Sequence, residues 1–137
     1  VIGGGMANTF LAAMGAQLGK SLSEPDFYGT AKDIMAQADK AGCRVLLPVD
    51  GLVAREFAAG ADHEVIQLGP DTVLDDNQMV LDAGPNTVEL VKDAFAGLKT
   101  LIWNGPMGAF EIAPFDTGTV AAAQAAAQLT RDGALIS

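Results

Sequence analysis

Short apolar runs alternate with helix-like segments along this chain, and that alternation most constrains its fold. Residues 44–50 form the continuous apolar run expected of a covered strand, and residues 64–68 and 100–103 also predict strands. Ser23 and Asp116 are candidate N-caps for helices between and after these runs. Such alternation is typical of βαβ units. The sequence therefore predicts an α/β fold of Rossmann-like, three-layer α/β/α type, with a mostly parallel sheet.

Both ends of the sequence resemble interrupted strands. The chain opens on Val1, without a Met, and runs directly into a glycine turn, and it closes on a short apolar run that ends at Ser137. We therefore expect residues 1–137 to be a partial domain, truncated at both ends. Between the predicted strands at 44–50 and 64–68, residues 53–59 suit one or two helical turns.

The acidic composition limits the partners of the chain. Lys and Arg total 8 against 17 Asp and Glu, for a formal charge of −9. Nucleic acids and anionic membranes need clustered basic residues, so neither is expected as a partner. A small phosphate ligand remains possible, because backbone N–H groups at a helix N-terminus can hold it.

The single cysteine and the lack of long apolar stretches indicate the compartment. Cys43 has no partner for an internal disulfide, and we expect it to be a buried structural thiol. No apolar stretch has membrane-spanning length, and no signal sequence is visible. These features predict a cytoplasmic protein.

Two glycine segments approach known phosphate-binding motifs without matching them. The segment around Lys20 resembles the end of a Walker A loop, but Met14 stands where that motif needs its first glycine. Gly3 and Gly5 fit a dinucleotide-binding turn, but Asn8 stands where the third glycine is needed. The segment at Gly3 is compatible both with a nucleotide site and with a tight turn that binds nothing.

The loop at residues 103–111 follows a predicted strand, at the edge where parallel α/β sheets bind ligands. Asn104 can donate and accept hydrogen bonds, Pro106 stiffens the loop, and Glu111 offers acceptors suited to ribose hydroxyls. The alternative is a solvated loop with Trp103 and Phe110 packed beneath it. We prefer the ligand-binding interpretation.

Three isolated polar residues give weaker signals. Asp50 and Asp82 each follow an apolar run, and both could face one sheet edge, although capping of a helix or turn explains Asp82 better. No cluster of carboxylates or histidines predicts a metal site. His63 stands alone in a polar turn and is expected at the surface.

Five segments, taken in order, resemble successive signatures of the phosphoglycerate kinase family. The most specific is Trp-Asn-Gly-Pro followed by Gly-x-Phe-Glu; the segments are residues 2–10, 19–22, 47–50, 81–84 and 103–111. The resemblance extends from one end of the chain to the other. It implies phosphoryl transfer between 1,3-bisphosphoglycerate and ADP, which gives 3-phosphoglycerate and ATP in glycolysis. It also implies ADP or ATP with Mg²⁺ as ligands, and a monomeric parent protein.

The resemblance also assigns residues to a nucleotide site. By this resemblance Gly3, Gly4 and Gly5 line the adenine side of the pocket, and Leu81 packs on the base. Val80 stands where the family often has glycine, which predicts a slightly narrower base pocket.

The remaining assignments come from the loop that ends at Glu111. Asn104 would reach the phosphates, Pro106 and Met107 would shape the pocket wall, and Glu111 would hold the ribose hydroxyls. No catalytic residue or metal ligand is assigned to this chain.

The resemblance implies that other parts of the enzyme lie outside residues 1–137. These are the phosphoglycerate-binding N-terminal domain, a preceding lysine-bearing segment, and a following Gly-Gly-Gly-Asp segment whose aspartate meets magnesium. We therefore expect the chain to be inactive alone. Two alternatives are a structural, self-associating piece without a ligand and, more weakly, an NAD-binding module.

Overall fold

A computed structural model describes residues 1–134 and 136. The helices are α1 (Gly4–Ala13), α2 (Tyr28–Ala41), α3 (Pro85–Ala96) and α4 (Thr117–Arg131), and a short 3₁₀ helix (Pro25–Phe27) precedes α2. The strands are β1 (Asp50–Ala54), β2 (His63–Gln67) and β3 (Met79–Ala83). Helices and strands pack together, so the predicted α/β class is confirmed.

The described strands differ from the predicted parallel arrangement. They form one sheet in the order β2-β1-β3, and β1 pairs antiparallel with both neighbours. The reason is the connection of residues 55–62, which is too short for the crossover that parallel neighbours require. The predicted helical turns over 53–59 are wrong, because residues 53 and 54 belong to β1 and residues 55–59 form bends and a turn without any helix.

Two predicted strands lack a regular partner among the described residues. Residues 44–49 are extended outside any named strand, although Ile2 N donates to Leu46 O at 2.9 Å. In the run 100–103, Thr100 forms an isolated parallel bridge with Ile136. A strand needs a ladder of such bonds, and local sequence does not reveal whether a partner is present.

The observed helices agree with the sequence-based predictions better than the strands do, because the residues that end a helix lie within it or next to it. Gly42 ends α2 in the left-handed conformation, with φ 67°. Ser23 does not act as the predicted cap: its hydroxyl lies 3.5 Å from the Tyr28 hydroxyl, and Glu24 is the N-cap of the 3₁₀ helix. Asp116 is at the N-cap of α4, but its side chain makes no capping bond.

The core lies on both faces of the sheet and between the last two helices. One cluster joins Val53 to Leu11 of α1, and another joins Leu52 to Phe115, which is fully buried. A third cluster holds α3 against α4 through Phe95 and the small residues of the Ala-rich face. This packing fixes α1, β3 and α4 around one end of the sheet.

Two surface predictions have different outcomes. His63 is exposed, as expected, with Nδ1 3.0 Å from Ala61 O. Cys43 is also exposed, so the predicted buried thiol is wrong. It follows the end of α2, at a segment that joins no described strand and is therefore left uncovered.

Membrane insertion through a helix has no support in residues 1–134 and 136, where none of the helices combines the length and hydropathy of a transmembrane span.

Candidate functional site

A cavity of about 400 Å³ opens between the start of α1, the end of β3 and the loop of residues 104–111. Every residue that the sequence assigned to a nucleotide site lines it: Gly3, Gly4, Gly5, Val80, Leu81, Asn104, Pro106, Met107 and Glu111. These residues come from three separate parts of the chain, and the fold brings all of them to one place.

The first wall of the cavity is the N-terminus of α1. Gly4 has φ 60°, a conformation that favours glycine, and its N–H donates to Met107 O at 3.0 Å. A Cβ at Gly3 would lie 3.0 Å from Met107 Sδ. No side chain caps this end of α1, so backbone N–H groups of the first turn remain open to a ligand.

The second wall is β3. Leu81 is 7% exposed and belongs to the cluster around Leu52 and Phe115, so its position is rigidly held. Val80 is half-buried beside it. Because successive strand residues point to opposite faces, Leu81 packs with Leu52 and Phe115 while Val80 packs against the cluster of Leu11. Both line the cavity at the end of the sheet, where each offers apolar atoms to a ligand.

The third wall is the loop, and it carries the polar groups. Asn104 and Glu111 are both exposed at the cavity, while Pro106 and Met107 form its side. The lining includes no Lys, Arg or His. The cavity can therefore accept apolar groups and hydroxyl donors, but it supplies no positive side chain for phosphate.

Asp82 also lines this cavity, in agreement with the sheet-edge position that the sequence left open for it beside the preferred capping role. It does cap a helix: Oδ2 accepts from Gly118 N of α4 at 2.7 Å, and Oδ1 accepts from Ala83 N at 2.8 Å. Burial raises the pKa of Asp82 from 3.8 to about 6; the two N–H bonds oppose that rise, and the charge of Asp116 adds to it.

Asp50 has a separate structural role. Its carboxylate accepts from Asn86 N at 2.9 Å and from Thr87 N at 2.8 Å, which caps α3. The Thr87 hydroxyl donates to the same carboxylate at 2.7 Å. Asp50 is fully buried and does not line the cavity, so the capping interpretation holds for it.

The two near-miss motifs also have structural roles. Lys20 Nζ donates to Arg55 O at 2.9 Å, away from the cavity, in keeping with the rejected Walker A interpretation. Asn8, which replaces a motif glycine, donates from Nδ2 to Leu22 O at 3.1 Å. Asn8 also lines the cavity, together with three residues that the sequence did not single out: Leu22, Pro48 and Phe57. Phe110 lines it too and is 50% exposed, so it is not packed beneath the loop as the alternative interpretation expected.

Two other cavities of about 480 Å³ each lie nearby. One is an apolar groove that contains Trp103 and shares Gly3 and residues 104–107 with the candidate cavity, so this indole lies next to the candidate site. The other is polar and includes Arg55, Glu56 and His63. Within residues 1–134 and 136, no three His, Cys, Asp or Glu side chains are grouped as a metal site would require.

The family model and the relatives that match this chain name the same family. The family model described as phosphoglycerate kinase matches residues 1–137. The phosphoglycerate kinase of Roseobacter denitrificans is 68% identical over the whole chain, which covers 35% of that relative. That of Ruegeria sp. is 62% identical over the whole chain and 34% of its own length. The chain thus spans about a third of these curated relatives.

Two solved structures, each described as a phosphoglycerate kinase, agree with the sequence comparison. The structure from Coxiella burnetii has a TM-score of 0.86 and 41% identity, covering 92% of this chain and 32% of that one. The structure from Pyrococcus horikoshii has a TM-score of 0.72 and 28% identity, covering 90% and 31%. Since the family model matches the full sequence and the fold agrees with two solved members, the chain belongs to the phosphoglycerate kinase family.

Proposed function

We propose that residues 1–137 are part of the nucleotide-binding domain of a longer phosphoglycerate kinase and form the adenine and ribose side of its nucleotide site. The whole enzyme would transfer a phosphoryl group between 1,3-bisphosphoglycerate and ADP in the cytoplasm, giving 3-phosphoglycerate and ATP in glycolysis. The observation that carries this proposal is that all the residues assigned from the sequence meet at one cavity.

The dimensions and chemistry of the cavity support a nucleoside. Its volume of about 400 Å³ lies within the usual range for small-molecule sites. Leu81 and Val80 each offer apolar atoms at the cavity to the base, and the exposed Glu111 offers carboxylate oxygens to two ribose hydroxyls. The bare backbone at Gly3 allows a flat ring to approach closely.

The phosphates require groups that this chain does not supply. The lining has no basic side chain, and it adds the acidic groups of Asp82 and Glu111. Phosphoryl transfer depends on positioning and on stabilising the charge of the transferring group. Asn104 and the N-terminus of α1 can contact phosphate, but Mg²⁺ and its ligands would come with the nucleotide and from residues beyond this chain. We therefore propose that the chain alone is inactive.

The alternative of a ligand-free structural piece is not favoured. Membership of the phosphoglycerate kinase family accounts for the arrangement of the cavity without it. An NAD-binding module is likewise not favoured, because Asn8 replaces the third glycine and is committed to Leu22 O.

Calorimetric titration of the full-length protein with ADP tests the proposal. We expect Glu111→Ala to weaken ADP binding about tenfold, since a hydrogen bond to a charged group contributes roughly 1.5 kcal/mol or more. Glu56→Ala is the matched control, because Glu56 is an exposed glutamate that lines the polar cavity instead. If Glu111→Ala binds ADP as tightly as the wild type and Glu56→Ala binds it more weakly, the nucleotide lies in the cavity at Glu56, and the proposal is contradicted.

A further inference from the structure

Asp82 lies where three parts of the candidate site meet. It belongs to β3, next to Leu81, and is only 2% exposed. One carboxylate oxygen caps α4 through Gly118 N, and the other accepts from Ala83 N. The side chain thus joins the end of β3 to the start of α4.

The same carboxylate also contacts the loop that carries the ribose-facing group. A Cβ on Gly108 would lie 2.4 Å from Asp82 Oδ1, so the loop backbone already rests against this oxygen. The next residue continues the contact, since Ala109 N donates to Leu81 O at 2.7 Å. Glu111 follows two residues later. The position of the loop relative to β3 therefore depends on the Asp82 side chain.

We propose that the ionised Asp82 carboxylate is a positioning residue of the nucleotide site, which fixes Glu111 relative to Leu81 by holding α4 and the loop against β3. This inference rests on the proposed nucleotide site. Asp82 acts through its neighbours: with both oxygens engaged by backbone N–H groups, it presents a fixed surface against which Gly108 packs.

Asp50 shows what a purely structural role looks like in the same sheet. It is as buried as Asp82 and also caps a distant helix, but its contacts lead to α3 and it does not line the cavity. Loss of its charge should lower stability without a specific effect on the nucleoside. The two aspartates therefore form a matched pair for experiment.

Protonation of Asp82 should release this arrangement. With a pKa of about 6, the carboxyl gains its proton within an accessible pH range, and both of its oxygens face N–H donors. A neutral acid accepts less strongly than a carboxylate, so the contact with α4 weakens.

The charged groups on the elements packed around Asp82 are few. Asp50 lies on β1, Glu111 and Asp116 lie on the segment before α4, and Arg131 lies at the far end of α4. Helix α1 has no charged residue. Of these groups, Asp116 acts on the Asp82 carboxyl and raises its pKa further. No cation among them would hold Asp82 ionised at low pH.

Adenosine is the probe that tests the inference, because it lacks the phosphates of ADP, which themselves titrate near neutral pH. We expect its Kd for the full-length wild-type protein to rise as the pH falls from about 7.5 to about 5. Asp82→Asn should bind adenosine about tenfold more weakly at pH 7.5, from the loss of one charge-assisted bond, and should show a flat pH profile.

Asp50→Asn should keep the wild-type Kd and its pH profile while unfolding at a lower temperature. Wild-type affinity and pH dependence in Asp82→Asn would overturn the inference, as would an equal loss of affinity in Asp50→Asn. If Asp82→Asn does not fold, the wild-type profile decides, and a constant Kd across this range overturns the inference. Absence of adenosine and ADP binding in the wild type would instead refute the nucleotide site itself.

Discussion

Substitution of Gly108 by alanine tests how closely the loop must approach β3. The new Cβ would lie 2.4 Å from Asp82 Oδ1, 2.6 Å from Leu81 O and 2.7 Å from Asp82 Cα. Two of these three atoms are main chain and cannot rotate away. To restore an ordinary contact of 3.4 Å to the nearest atom, the loop must withdraw by about 1 Å.

That withdrawal has a calculable cost. Overpacking of a filled site costs about 1–3 kcal/mol. The bond from Ala109 N to Leu81 O, 2.7 Å long, is lost with the contact and contributes about 1 kcal/mol more. We therefore expect the free energy of unfolding to fall by about 2–4 kcal/mol, as the sum of these two effects.

Urea unfolding followed by circular dichroism measures this change. Gly69→Ala is the matched control, because a Cβ there meets no atom within 4 Å and its backbone is not left-handed. That variant should stay within about 0.5 kcal/mol of the wild type. A loss below about 0.5 kcal/mol in Gly108→Ala would show that the loop does not rest on Asp82 and would refute the geometry.

Two further predictions concern the ionisation of Asp82 and the activity of the chain. Burial of the Asp82 charge costs more than its two N–H bonds contribute, so folding raises the pKa of Asp82. Global stability should therefore fall as the pH rises from about 4 to about 6, although the ionised carboxylate makes the stronger cap on α4. After allowance for screening by water in the cavity, this contribution is about 1–3 kcal/mol. It should be absent from Asp82→Asn and should therefore appear as a pH-dependent difference between the wild-type and Asp82→Asn urea curves. The 137-residue chain alone should form no ATP in a coupled assay. Turnover above a buffer blank would contradict the proposal that the groups needed to bind and activate the phosphates lie outside this chain.

The helices were predictable because their signals are local. Gly42 and Gly97 directly follow the last residues of α2 and α3, so each lies within the segment that it ends. The sheet was not predictable to the same degree. The antiparallel pairing of β1 depends on residues 55–62 being a connection, and the apolar content near Val53 suits a helix equally well.

The candidate site was likewise predictable where single segments carry the signal, and it was missed where contacts join residues that are distant in sequence. Its lining residues lie in glycine loops and strand ends that the sequence marks, and all of them meet at the cavity. The role of Asp82 in the loop was missed, because its partners at Gly108 and Gly118 are distant in sequence. The exposure of Cys43 was missed because the run after it was expected to be a covered strand.

Photolabelling of the full-length protein with 8-azido-ADP, followed by peptide mapping, tests the location of the nucleotide most directly. The adenine ring should label the peptide that contains Leu81, which lines the candidate cavity and neither of its two larger neighbours, and excess ADP should prevent the labelling. Protected labelling at the polar cavity around Arg55 and Glu56, with none at β3 or the loop, would contradict the central claim.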